Sequence, residues 1–174
     1  MQIAGQLARF EQTILPHMDA AYNLARWLTR RDQDAEDVVQ EAYLRAFQFF
    51  GSFRGGDGRT WLLAIVRNTC YTWLHKNRAP EQTVSFNEAQ HGLAPAERGP
   101  EARLLRTEDA EMLHDALREL SVDFREVLVL RELEELSYKE ISHVIGIPVG
   151  TVMSRLARGR ERLQQLLIER YKRE

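Results

Sequence analysis

With 174 residues and 44% hydrophobic content, the chain has room for one ordinary soluble domain or two small ones, each able to bury a core. No apolar run approaches the about 20 residues needed to cross a bilayer, so any membrane association has to go through another protein. The start lacks the basic, apolar and small-residue order of a signal peptide, and a lone Cys70 cannot form an internal disulfide, so a reducing cytoplasm is the expected location.

Apolar spacing predicts helices over 6–15, 16–30, 35–50 and 58–76, broken at Pro16, at Asp34 and by the glycine loop 51–58. No strand signal occurs there. Residues 79–100 hold Pro80, Gly92, Pro95, Gly99 and Pro100 with few apolar side chains, and read as a flexible linker. Beyond it, helices are predicted over 101–119 and 122–133, the latter capped by Ser121. Two short helices follow. Ser137 and Glu140 form a capping box that starts the first, Gly146 supplies the left-handed residue that ends it, and Pro148 suits the opening of the second. The predicted fold is therefore all-α: two small helical domains, 1–78 and 101–174, joined by the linker 79–100, the second carrying a helix-turn-helix.

The net charge of −2 hides a pattern. Residues 51–78 hold five basic side chains against Asp57 alone, and 141–174 hold seven basic against three acidic. Between 101 and 140 the balance reverses, with twelve acidic against six basic. Like charge repels phosphate, so the acidic segment implies a protein-facing surface beside the DNA-facing ones.

Three stretches could carry function. On the last helix, Val149, Val152, Leu156, Gly159, Leu163 and Leu166 share one stripe expected to be buried. Ser154, Ala157, Arg158 and Glu161 are left facing a major groove, with Met153 at one margin, Arg155 and Arg162 flanking one side and Arg160 the other. Arginine reads a guanine edge with two hydrogen bonds and grips phosphates, so the element is a DNA-docking one, strong for DNA and weak for which sequence. In the helix over 35–50, Val39, Ala42, Tyr43, Ala46 and Phe50 form the inward stripe, leaving Asp37, Gln40, Glu41, Leu44, Arg45 and Gln48 outside; by themselves these suit either a solvated helix or a docking surface for basic helices. The loop Phe49–Trp61 combines glycines with aromatic rings and two arginines, and Asn68, Tyr71, Trp73, Lys76 and Arg78 follow it. This mixture suits single-stranded nucleic acid, by stacking, by hydrogen bonds to a base edge and by backbone charge. Trp61 and Phe50 are assigned to core packing and Phe53 to a base-facing role.

Enzyme readings fare poorly. His17, His75, His91, His114 and His143 are scattered, and neither a nucleophile elbow, a Walker lysine nor a thiol motif is present, so no metal or other cofactor is expected and Cys70 reads as a core residue.

At this point the blocks resemble the extracytoplasmic-function (group IV) sigma factors of bacterial RNA polymerase. Residues 34–47 look like sigma region 2.2, 53–78 like regions 2.3 and 2.4, and 120–163 like region 4, in family order and over nearly the whole chain, with the linker in place of region 3. The resemblance implies that Asp37, Gln40, Glu41, Leu44 and Arg45 grip the clamp helices of the polymerase's largest subunit, the second domain meeting the flap of the second-largest. Phe53, Arg54, Asn68, Tyr71, Trp73, Lys76 and Arg78 would hold the melted minus-10 element, with a flipped base captured near Phe53 and Asn68. Met153, Ser154, Ala157 and Arg158 would read the minus-35 element, with Arg155 and Arg160 on its phosphates and Thr151 and Arg162 belonging to the same site. An anti-sigma factor is an implied partner. Position 153 is often arginine in relatives and position 157 often bulky, so Met153 and Ala157 put the common minus-35 sequence in doubt. An autonomous helix-turn-helix regulator, with a helical sensor or dimerisation domain, is the rival reading; a nucleic-acid-processing enzyme would need a metal or acid-base cluster that is not found.

Overall fold

A computed structural model describes residues 2–77 and 108–174. Arg78, the predicted linker and the first residues of the helix predicted from 101 lie outside the described residues. Among the described residues every regular element is helical.

The first half runs α1 (Gln2–Ile14), a 3-10 turn at Leu15–His17 with Pro16 in its first turn, α2 (Met18–Thr29), α3 (Asp32–Phe49) and α4 (Gly58–Asn77). Helices α2, α3 and α4 pack on one another around Leu24, Leu28, Val38, Ala42, Leu62, Leu63 and Val66, all buried. Phe10 of α1 closes this core, meeting Tyr43, Phe47 and Phe50 edge to face. The break between α2 and α3 falls on Arg30, at φ 70°, and not on Asp34 as predicted. A left-handed non-glycine residue is disfavoured by roughly 1–2 kcal/mol. Here Arg30 is held at both ends: its N–H donates to the Arg26 carbonyl, and its own carbonyl accepts from Arg118 of the second half. Helix α4 starts at a glycine because a Cβ on Gly58 would lie 2.7 Å from the Thr13 carbonyl oxygen of α1.

The second half runs α5 (Glu108–Glu119), α6 (Val122–Leu128), a π-helical turn at Val129–Leu133, α7 (Tyr138–Ile145) and α8 (Val149–Arg173). Ser121 occupies the N-cap of α6, but its hydroxyl makes no capping bond; Asp123 supplies the first-turn negative charge that the helix dipole favours. The α5–α6 corner is instead tied by the buried Arg125, which donates to the carbonyls of Leu120 and Arg118. The helix predicted to run to 133 changes to π geometry at Val129. Within and just past that turn, Glu132 reaches Arg160 of α8 and Glu134 reaches Asn23 of the first half. At Ser137 the capping box forms as predicted: Glu140 N–H donates to Ser137 Oγ at 3.1 Å and Ser137 N–H to Glu140 Oε1 at 2.9 Å. Gly146 ends α7 at φ 81°, with Pro148 as N-cap of α8.

The two halves pack against each other, α2 on α6 and α4 on α7. Trp27 lies 4.7 Å from the His114 ring, and Asn23 donates to Glu134 Oε1 at 2.7 Å.

Candidate nucleic-acid interface

Helix α8 is set by its apolar stripe. Val152, Leu156, Gly159 and Leu166 are buried and Leu163 is half-buried, as spacing requires. Val149 departs from that stripe at 39% exposed, because it stands in the first turn, ahead of the point where α8 crosses α6. The crossing is at Gly159, where a Cβ would meet Leu128 and Phe124 at 3.4 Å. The opposite face presents Met153 (52% exposed), Ser154, Ala157 and Arg158, with Arg162 alongside and Thr151 half-buried at the margin. Arg160 pairs with Glu132 at 2.8 Å, and Arg155 reaches to 4.0 Å of Glu126. A groove-wide helix front is thus free, while two of its flanking arginines already have carboxylate partners.

The minus-10 candidates divide. Arg54, Asn68 and Lys76 are exposed, whereas Tyr71 and Trp73 are half-buried. Phe53 does not face solvent: it is 8% exposed, stacked on Phe50 at 5.6 Å and tilted against Trp61 at 5.3 Å. The expected base-facing role for Phe53 is therefore corrected to a core one. The left-handed glycines Gly55 and Gly56 let the loop fold its ring back onto α4, a reversal that alternation of glycine and aromatic residues does not reveal. Phe50 and Trp61 pack in the core as predicted.

Sequence reasoning missed the partner of α4. Thr60, Arg67 and Tyr71 share one stripe of this helix, and each meets a carboxylate of the second half. Arg67 makes a two-pronged contact with Glu126, Nε to Oε2 at 3.0 Å and Nη2 to Oε1 at 3.3 Å. Tyr71 donates to Asp123 at 3.3 Å beneath the Arg67 guanidinium, which sits 3.7 Å from its ring. Glu140 lies 3.5 Å from Thr60 Oγ1 and 3.6 Å from Arg59, whose Nη1 also donates to the Glu134 carbonyl. Asn68 is drawn in too, its Oδ1 accepting from Arg67 at 3.4 Å. Glu126 has no exposed surface; burial pushes its carboxyl above the usual range and the Arg67 guanidinium pulls it back. Burial likewise raises the Tyr71 hydroxyl. The signal available in sequence was the acidic run facing a basic one, without the register that pairs them.

On α3, Asp37, Gln40, Glu41 and Leu44 are exposed, Leu44 at 65%, and Arg45 is tied to Glu41 one turn earlier at 2.7 Å. Nothing from the second half covers this stripe among the described residues. Cys70 is fully buried and its thiol pushed up to about 12 by burial, as fits a core residue. The described residues contain no group of histidine, cysteine and carboxylate side chains able to hold a metal ion, and no helix long and apolar enough to cross a membrane.

The chain thus pairs a helix-turn-helix half with a second helical half that bears an exposed acidic, leucine-centred stripe. Residues 13–79 match the family model for sigma-70 region 2, and 110–163 that for sigma-70 region 4. The RNA polymerase sigma-H factor of Pseudomonas aeruginosa is 36% identical over 171 residues, covering 94% of this chain and 88% of that protein. The ECF RNA polymerase sigma-E factor of Escherichia coli K12 is 38% identical over 135 residues, 74% of this chain and 71% of that one. Among solved structures, the sigma factor RpoE in complex with the anti-sigma factor NepR from Bartonella quintana superposes with a TM-score of 0.70 at 29% identity, covering 91% of this chain and 96% of that one. CnrH in complex with the cytosolic domain of CnrY gives 0.63 at 27%, covering 95% and 92%. The chain belongs to the extracytoplasmic-function sigma factors and is an RNA polymerase sigma factor.

Proposed function

We propose that this sigma factor works in the cytoplasm, binds core polymerase through the outer stripe of α3, reads the minus-35 element with the front of α8 and holds the melted minus-10 strand along α4. The observation that carries this reading is a pair of uncovered surfaces on one chain: Asp37, Gln40, Glu41 and Leu44 on α3, and Met153, Ser154, Ala157 and Arg158 on α8. The first offers acidic steering around an apolar anchor for the polymerase's clamp helices. The second offers one forked cation and small side chains that admit close approach of base edges, with Thr151 and Arg162 beside them and Arg155 and Arg160 turning to phosphates by exchange for Glu126 and Glu132. Arg54, Asn68, Tyr71 and Lys76 supply a base-edge partner, a ring and charge for a displaced strand, with Trp73 beside them. No bond is broken; melting is stabilised by binding energy. The flap of the second-largest subunit is proposed as the second half's polymerase contact, and an anti-sigma factor as a further partner, since one structural neighbour is a sigma factor in complex with an anti-sigma factor.

Run-off transcription with purified core enzyme tests the reading. Promoter-specific transcripts are expected only when the protein is added. Tight binding to duplex DNA without polymerase, and no initiation with it, would establish the autonomous regulator instead. Leu44→Asp is expected to abolish pull-down of core polymerase while circular dichroism stays helical; undiminished pull-down would remove α3 from the interface.

A further inference from the structure

We infer that the front of α8 carries, opposite its cations, an apolar edge of Val149, Met153 and Ala157 that reads the C5-methyl groups of thymines; the inference rests on the reading of α8 as the minus-35 helix. The three side chains follow one another at four-residue steps, so each stands about 40° further round the helix, from the margin towards the centre of the front. Val149 is 39% and Met153 52% exposed, and Ala157 is exposed as well. All three lie near the start of α8, the end that a helix in the major groove presents to base edges.

The polar side chains of the same front leave this edge without a donor. Ser154 gives its hydroxyl proton to the Thr151 carbonyl at 3.1 Å, so its oxygen can only accept. Arg160 follows Met153 on the same side about two turns on, and Glu132 holds it at 2.8 Å. Arg158 is exposed but stands roughly 140° round from Met153, across the front. A forked donor on that side suits guanine, whereas the Met153 side has nothing to offer a hydrogen-bonding group. The thymine methyl is the apolar group among the base edges of the major groove. A thioether on three rotatable bonds can settle over it, with Val149 and Ala157 keeping water out on either side. Cytosine in the same place has no methyl, and its amino group would lose water without gaining a partner. Single exposed apolar side chains are ordinary on a surface. Here successive turns present them, at the end of the helix where bases are met.

The test uses holoenzyme assembled from core polymerase and the full chain. Its upstream box is selected from promoters randomised there, and each thymine of the selected box is then replaced by deoxyuridine, which removes only the methyl. Binding is expected to weaken roughly fourfold at one or two thymines, the worth of one methyl-sized group kept from water. Met153→Ala should bind the thymine box more weakly by a similar factor and no longer distinguish thymine from uracil. Met153→Leu, which keeps an apolar side chain, should retain the distinction. Arg158→Ala should lose affinity yet keep the uracil penalty, as separate contacts require. Met153 and Arg158 are exposed, so these variants leave the packing of α8 intact. A selected box without thymine, no uracil penalty at any thymine, or a penalty that survives Met153→Ala would each overturn the apolar edge and leave the minus-35 reading of α8 standing. If no upstream box is enriched, that reading falls and the edge with it.

Discussion

The two basic helices, α4 and α8, end in opposite situations. Helix α8 turns its apolar stripe onto α6 and α7 of its own half and leaves its front in solvent, with Arg158 exposed. Helix α4 also packs on its own neighbours, α2 and α3, but its polar stripe is occupied by carboxylates from more than 50 positions along the chain, as Arg67 and Glu126 illustrate. The front of α8 is thus exposed, and the polar stripe of α4 is covered. The difference lies in what lies opposite: Asp123, Glu126 and Glu140 all point at α4, whereas on α8 the acids meet the flanking Arg155 and Arg160 and, near its end, Arg170 and Tyr171, and the front with Met153, Ser154, Ala157 and Arg158 stays exposed.

The largest effect that separates the helices is expected from Leu156→Ala. Its side chain is almost wholly buried beneath α8, and truncation should cost about 2–5 kcal/mol of the second half's stability through lost burial and the cavity left behind. Denaturant unfolding followed by amide exchange should show α5 to α8 loosening before α1 to α4; uniform loosening would mean that α8 is held by the other half as much as by its own. Next comes Arg158→Ala, expected to weaken minus-35 recognition by about 1–3 kcal/mol if the guanidinium makes a two-bond contact with a base. Arg155→Ala should instead weaken all duplexes alike and flatten the salt dependence, as expected if the cation that faces Glu126 in the free chain meets a phosphate on DNA. Footprints of holoenzyme on matched and mismatched upstream boxes distinguish the two, and identical profiles would refute the assignment.

How legible each helix was follows from the range of the interactions that make it. The start and end of α7 and the opening of α8 rest on contacts within five residues: the Ser137–Glu140 box, the left-handed Gly146, and the Ser142 hydroxyl donating to the Ile147 carbonyl. Such chemistry is written in adjacent letters, as is the outward stripe of α3. The stop of α2 was not, because a left-handed Arg30 carries no residue-type signature and owes its stability partly to Arg118. Phe53 was misread for a related reason: whether a ring on a glycine loop faces out or folds inward depends on Phe50 and Trp61 together, on elements before and after it. The acidic surface was legible as a protein-facing one, yet its partner, this chain's own α4, was not, since charge balance says that two segments attract without saying which carboxylate meets which guanidinium.

Glu140 is the point at which local and long-range interactions share one group, so it supplies the finest test. Its Oε1 takes the Ser137 N–H and completes the start of α7, while its Oε2 turns to Arg59 and Thr60 of α4. Ser137→Ala removes only the hydroxyl that accepts from the Glu140 N–H and should cost about 1 kcal/mol, read as a lower thermal midpoint and faster exchange of the first α7 amides. The distance between the halves, read from a spin label on each, should not move, because Glu140 keeps its partners on α4. Glu140→Ala removes both sets of contacts and should add a shift towards longer distances to a similar loss at the helix start. If the two variants proved indistinguishable by distance, Glu140 would be a capping residue alone, and the hold on α4 would fall to Glu126 and Asp123.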